Sequence, residues 1–129
     1  MKYLLDTHVL LWAAEQPDRL SRKARKLLSD PDNDLAFSAV SLWEIVVKQG
    51  LGRDDFKVDA RQLRRNLLDN GYTELAVTSA HALALEDLPP LHRDPFDRML
   101  LAQSRAEGTT LLTADTQVLQ YPGAVQKVI

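Results

Sequence analysis

Apolar positions recur along the chain with two different spacings. Tyr3, Leu4 and Leu5 sit in a short run, Lys2 to Leu5, that breaks at Asp6-Thr7. Val9, Leu10, Leu11, Ala13 and Ala14 then follow at helical intervals, so this segment reads as a buried strand leading into a helix. Ser21 precedes RKARKLL and predicts a capped amphipathic helix with a solvated basic face, ending near Ser29-Asp30-Pro31. Leu35 to Ser38 predicts a second strand. The stripe Val40, Leu42, Trp43, Ile45, Val46 and Val47 predicts the helix after it, ending at Gly50 or Gly52. Asp59 to Leu68 reads as another helix, stopped by Asn70-Gly71, and Glu74 to Thr78 as a third strand before the helical Ala80, Leu83 and Leu85. Pro89-Pro90 closes that segment. Asp94-Pro95 opens a helix with Phe96, Met99, Leu100 and Ala102 on its buried side, Gly108 closes it, and Thr110 to Leu112 predicts a further strand. Val125 to Ile129 is expected to add an edge strand.

Strands that alternate with helices imply an α/β fold with a small parallel sheet covered by helices on both faces. Ligands of such sheets bind beyond the carboxyl ends of the strands, so the residues just after each strand are the ones to inspect for chemistry. The 129 residues, with no repeat, low-complexity tract or linker, fit one domain over 1–129.

Composition narrows the function. Sixteen basic and 18 acidic residues give a net charge of -2, which disfavours a protein that binds polyanions through excess positive charge. The absence of cysteine excludes disulfides, thiolate zinc sites, iron–sulfur clusters and cysteine nucleophiles, leaving oxygen and imidazole as metal ligands. The apolar N-terminal stretch is interrupted by Asp6 and His8 and matches neither a signal-peptide core nor a membrane span, so a cytoplasmic protein with no membrane association is expected.

Four acids stand near the expected active edge. Asp6 follows the first strand, Glu44 lies one turn into the helix after the second, Asp97 begins the Pro95 helix, and Asp115 follows the Thr110 strand. Clustered acidic oxygens repel unless cations neutralise them, and Mg²⁺ or Mn²⁺ are the hard ions such ligands hold. The chemistry this points to is metal-assisted hydrolysis at phosphorus, with one ion or two about 3.5–4 Å apart. Each acid also has a plain structural reading as a helix cap: Ser41 to Glu44 has the form of a capping box, and Asp94-Pro95-Phe96-Asp97 that of a capped helix start.

At this point the residues resemble a known family, the PIN-domain nucleases, and among them the VapC-type toxins of toxin–antitoxin pairs. LLDTHVLLW, SAVSLWEIVVKQGLG, HRDPFDRMLLAQSRAEG and TLLTAD are similar to its successive blocks, in order and nearly end to end. The resemblance implies a PIN-like three-layer fold and an acidic quartet at Asp6, Glu44, Asp97 and Asp115. It further implies Mg²⁺ or Mn²⁺ dependence, endoribonuclease activity on RNA, and inhibition by a cognate antitoxin; the chain is also expected to form a homodimer.

Thr113 resembles the family's hydroxyl position that orients a water or metal ligand, and a turn-capping role fits it equally. His8 is a candidate substrate contact, set against a packed or solvent-facing side chain. Asp94 reads as the helix cap and as a partner of Asp97. His81 and His92 lack a metal-ligand spacing and are expected to be structural or exposed, and Trp12 and Trp43 fall in apolar stripes that suit core or interface. The basic stretches Arg19 to Lys26 and Arg61 to Arg65 read first as solvated faces and second as phosphate contacts. A response-regulator receiver would need adjacent acids after the first strand, and a haloacid-dehalogenase phosphatase an aspartate where His8 stands. The alternative from another class is a PIN-like binding or scaffold module with weak or no nuclease activity.

Overall fold

In the computed structural model, which describes residues 1–128, five strands form one sheet: β1 (Lys2–Leu5), β2 (Asp34–Ser38), β3 (Thr73–Leu75), β4 (Thr110–Thr113) and β5 (Val125–Lys127). Their order is β3-β2-β1-β4-β5 and every pairing is parallel, with Tyr3 beside Leu35 and Thr110, and Leu111 beside Val125. The connections are α1 (Thr7–Glu15), α2 (Arg22–Ser29), α3 (Ala39–Gly50), α4 (Ala60–Asp69), α5 (Ser79–Ala84) and α6 (Pro95–Glu107).

The apolar run of β1 explains the layering. Tyr3 and Leu5 join one core with Val9, Leu10, Phe37, Ile45, Leu63, Leu67 and Leu112, whereas Leu4 and Leu111 join another with Val40, Leu100, Leu101 and Val118. Successive strand side chains point to opposite faces, so a strand apolar at every position is buried on both sides, as parallel sheets require. The result is helix, sheet, helix, with β1 at the centre between β2 and β4 and the carboxyl ends of these parallel strands opening on one edge.

Local chemistry moved three expected boundaries. The third strand stops at Leu75 rather than reaching Thr78, because the Thr78 hydroxyl accepts from His81 N at 3.3 Å while His81 Nδ1 accepts from Thr78 N at 3.1 Å. That reciprocal cap commits Thr78 to the start of α5. Likewise α3 starts at Ala39, capped by Ser38, so Ser41 and Glu44 lie inside the helix and form no capping box. The edge strand covers Val125–Lys127; Ile129 lies outside the described residues.

Ser38 ties the α3 start to the far layer. Its hydroxyl accepts from Val40 N at 3.0 Å and donates to Gln103 Oε1 at 2.6 Å, and both side chains are buried. Replacing it by alanine strands two buried polar groups, so Ser38→Ala is expected to cost about 2 kcal/mol. Urea denaturation checks this, with an unchanged slope; a loss below about 0.5 kcal/mol contradicts the assignment.

Candidate functional site

The carboxyl ends of β1 and β4 are joined directly. Asp6 N donates to Leu112 O at 2.9 Å, which brings the residues that leave the two strands side by side. The Asp6 carboxylate caps nothing, although it precedes α1; its Oδ2 accepts from the Thr113 hydroxyl at 2.6 Å. Thr113 Oγ1 in turn accepts from Asp115 N at 3.0 Å. One hydroxyl therefore orients the first acid and fixes the backbone of the last, combining the two expected roles of Thr113. Asp115 Oδ1 caps the turn that follows, accepting from Gln117 N and Val118 N.

Glu44 enters from α3 and is buried, its Oε2 accepting from Lys48 Nζ at 2.5 Å. Its Oε1 is buried without a hydrogen-bond partner in the protein. A buried carboxylate oxygen left unpaired is costly, and it marks a place where a further cation or donor belongs. Asp97 comes from the first turn of α6. Asp94 caps that helix, its Oδ1 accepting from Phe96 N and Asp97 N at 2.8 and 3.1 Å, and this leaves the Asp97 carboxylate free to face the other acids. Asp94 Oδ2 lies 3.7 Å from Lys48 Nζ.

The structure thus brings Asp6, Glu44, Asp97 and Asp115 to one edge, with Thr113 and Asp94 beside them. Their proximity shows in their titration. Burial, then the charges of Asp6, Asp94, Glu44 and Asp115, push the Asp97 carboxyl up to about 8. Asp6 is also raised, first by burial and then by Glu44 and Asp115, against the lowering effect of the Thr113 hydrogen bond and of His8. Burial alone would lower the Lys48 ammonium, but its hydrogen bond and charge interaction with Glu44, helped by Asp94 and Asp97, leave it raised.

Two residues of this site escaped the sequence reading. His92, expected to be structural or exposed, stands in the cluster with Nε2 at 2.7 Å from Asp97 Oδ2 and 3.7 Å from Asp115 Oδ2. The loop that carries it folds back because Tyr121 Oη accepts from His92 N at 2.8 Å and Arg98 Nη1 donates to Pro89 O at 3.2 Å and to His92 O at 3.4 Å. No periodicity announces such a loop. Lys48 was legible in principle, since a lysine four residues after a glutamate on a helix is an expected ion pair. His8 lies at the margin: Nε2 contacts Asp55 Oδ2 at 3.2 Å and the ring meets Phe56 edge-on at 5.1 Å. His81 is buried with its cap and Glu107, as a structural residue. Trp43 is 59% exposed against Phe96, which removes it from the core but keeps the interface reading.

The donor set suits a hard divalent cation. One ligand atom each from His92, Asp94 and Asp97 lie within 4.8 Å of one another. This trio shares only Asp97 with the expected quartet, and one oxygen of Asp94 is spent on its helix while the other faces Lys48. Oxygen ligands with an imidazole, no thiolate, and an orphaned Glu44 oxygen fit Mg²⁺ or Mn²⁺ chemistry.

Comparison with known proteins agrees with this fold. The ribonuclease VapC22 of Mycobacterium tuberculosis is 28% identical over 118 residues, covering 92% of this chain and 90% of that protein. The VapBC2 structure from Rickettsia felis, bound to a DNA fragment from its promoter, superposes with a TM-score of 0.74 at 15% identity over the whole of both chains. DNA-bound VapBC from Salmonella typhimurium superposes at 0.67 with 13% identity over 98% of each. The family model of the PIN domain matches residues 3–124, and with its sheet order and edge of acids the chain belongs to the PIN domain family.

Proposed function

We propose that residues 1–129 act as one Mg²⁺- or Mn²⁺-dependent endoribonuclease unit, the toxin of a toxin–antitoxin pair working in the cytoplasm. The observation that carries this reading is the mutually repelling set of buried Asp6, Glu44 and Asp97 with the partly exposed Asp115, together with an unpaired Glu44 oxygen. These four acids would hold the metal, which when bound lowers the pKa of a water and polarises the scissile phosphate. The remaining work falls to the chain. Thr113 keeps Asp6 aimed, and Lys48 neutralises part of the acidic field so that a phosphate backbone can approach. His92 Nε2 stands within hydrogen-bond reach of Asp97 Oδ2 and orients that carboxylate. The kinship with a protein named a ribonuclease supports RNA as the substrate class. The presence of all four acids in the chain favours this reading over a scaffold module.

An antitoxin partner and a homodimer belong to the same proposal. Structural neighbours of this chain are toxin–antitoxin complexes. Helix α3 exposes Trp43, Val46 and Val47, an apolar surface of the kind that protein interfaces cover. Among the described residues no helix is long and apolar enough to cross a membrane.

Asp97→Asn keeps the size of the side chain and removes a charge the cation needs, so it is expected to lower cleavage of total RNA by at least ~100-fold while the circular dichroism spectrum is unchanged. Chelation of wild type by EDTA should do the same and added Mg²⁺ or Mn²⁺ should restore it. Full activity of the folded variant would take Asp97 out of the metal site.

Stability should depend on pH with a definite sign. The folded protein keeps a proton on Asp97 up to about 8, whereas an ordinary aspartate has lost it above 3.8. Between those limits the folded state binds more protons than the unfolded chain, so stability is highest at the acid end and falls as pH rises. In EDTA the thermal midpoint is expected to drop from about pH 6 to about pH 8.5, to flatten in Asp97→Asn, and to flatten in wild type with Mn²⁺. A midpoint that climbs across this window in EDTA contradicts the assignment.

Light scattering of the purified protein is expected to give a homodimer. Expression alone should arrest growth, and co-expression of the antitoxin should relieve it and yield a copurifying complex. A monomeric wild type that is harmless and finds no partner would favour the scaffold alternative.

A further inference from the structure

Next to the acidic edge a cleft of about 560 Å³ runs along α1. Asp6 and Asp115 form one end of it, Leu11, Trp12 and Ala114 line its wall, and Arg19 stands at the other end. Trp12 lies six residues past Asp6, about 9 Å along the helix axis. Its indole is half-buried, and the Arg19 guanidinium rests over the ring at 4.4 Å from its centroid. The His8 ring stands beside it at 6.0 Å, tilted by 44°, so the two rings do not close on each other as a stacked pair.

Five acids, Asp6, Glu15, Asp54, Asp55 and Asp115, and the cations Arg19 and Lys57 line the cleft, and two of the acids, Asp54 and Asp55, are held by basic partners. Asp55 is held by Arg53 and His8, and Asp54 lies 3.3 Å from Lys57. The Lys57 pair is fully solvated, and such pairs open at little cost. Arg19 carries no ion pair among the described residues; its contact is the indole. An aromatic face capped by a guanidinium, with a second cation at the rim, is the chemistry that receives an unstacked nucleobase and its phosphate. A paired base within a duplex has no free face to offer, which restricts the occupant to single-stranded RNA.

We propose that this cleft is a nucleobase subsite, in which a base adjoining the scissile phosphate displaces the Arg19 guanidinium from the indole face and stacks on Trp12, Arg19 then holding the base edge or phosphate beside it. The proposal rests on the ribonuclease reading and adds to it the residues that would set substrate class and cut-site preference. It explains why a chain of net charge -2 can hold RNA near four carboxylates: the grip comes from stacking and one local guanidinium rather than from overall charge.

Trp12 and Trp43 are the two tryptophans of the chain, so Trp43→Phe isolates the emission of Trp12. In an Asp97→Asn/Trp43→Phe protein, six-nucleotide oligoadenylate and oligouridylate are expected to quench that emission saturably. In an otherwise wild-type protein Trp12→Ala should raise KM for single-stranded RNA roughly 5- to 100-fold with kcat changed less than about twofold, and shift the pattern of cuts. Trp12→Phe should recover most of the loss. Arg19→Ala, on an exposed turn, should raise KM in the same direction and carries the kinetic test if Trp12→Ala does not fold. RNA cleavage with no quenching and with unchanged KM and cut sites in the variants would overturn the subsite alone. Quenching by RNA that wild type does not cleave would leave the subsite standing and remove the ribonuclease reading. Trp12 emission that responds to a copurified antitoxin and never to cleavable RNA would assign the cleft to the protein partner and overturn the proposal.

Discussion

The electrostatic cost of gathering acids at a buried sheet edge governs the site. Asp6 and Glu44 are almost wholly removed from water, and Asp97 nearly so. Without a compensating cation such a group protonates or draws in a positive side chain. Both responses occur here: Asp97 and Asp6 titrate above the usual carboxylate range, and Lys48 bends onto Glu44. The unpaired Glu44 oxygen is the part of the cost that neither response removes. A divalent ion answers the same demand more completely, which is why the acids and the cation belong to one account.

The fold makes this concentration possible by spending rigidity around it. Parallel pairing of β1 with β4 sets Asp6 beside Thr113, and a hydroxyl at 2.6 Å fixes the carboxylate that would otherwise turn to cap α1. Asp94 takes over the capping of α6 and so frees Asp97. Ser38, through Gln103, anchors the start of the helix that carries Glu44. Each acid is therefore relieved of a local structural duty by a neighbour that performs it.

Much of this was legible in the sequence. The continuous apolar run of β1 and the alternation of strands with helices pointed to the parallel, doubly covered sheet, and the strand ends and helix starts pointed to the four acids as candidates. The misreadings share a cause, which is that local propensity does not reveal which of two competing hydrogen-bond partners wins. Thr78 looked like a strand residue and caps α5 through His81; Ser41 looked like a cap, but Ser38 had already taken that place. His92 lay beyond sequence reasoning, because Tyr121 and Arg98 fold its loop back across the edge from distant positions. Trp43 shows the limit of periodicity, since an apolar stripe wider than the core leaves part of itself in water.

The central claim is that a divalent cation and a proton compete for the same acids. Calorimetric titration of the metal-free protein with Mn²⁺ near pH 7, repeated in buffers of different ionisation enthalpy, counts the protons released on binding. The account predicts saturable binding with net proton release, falling toward zero above the Asp97 value of about 8. Binding with no proton release near pH 7, or no binding at all by the folded protein, would contradict it.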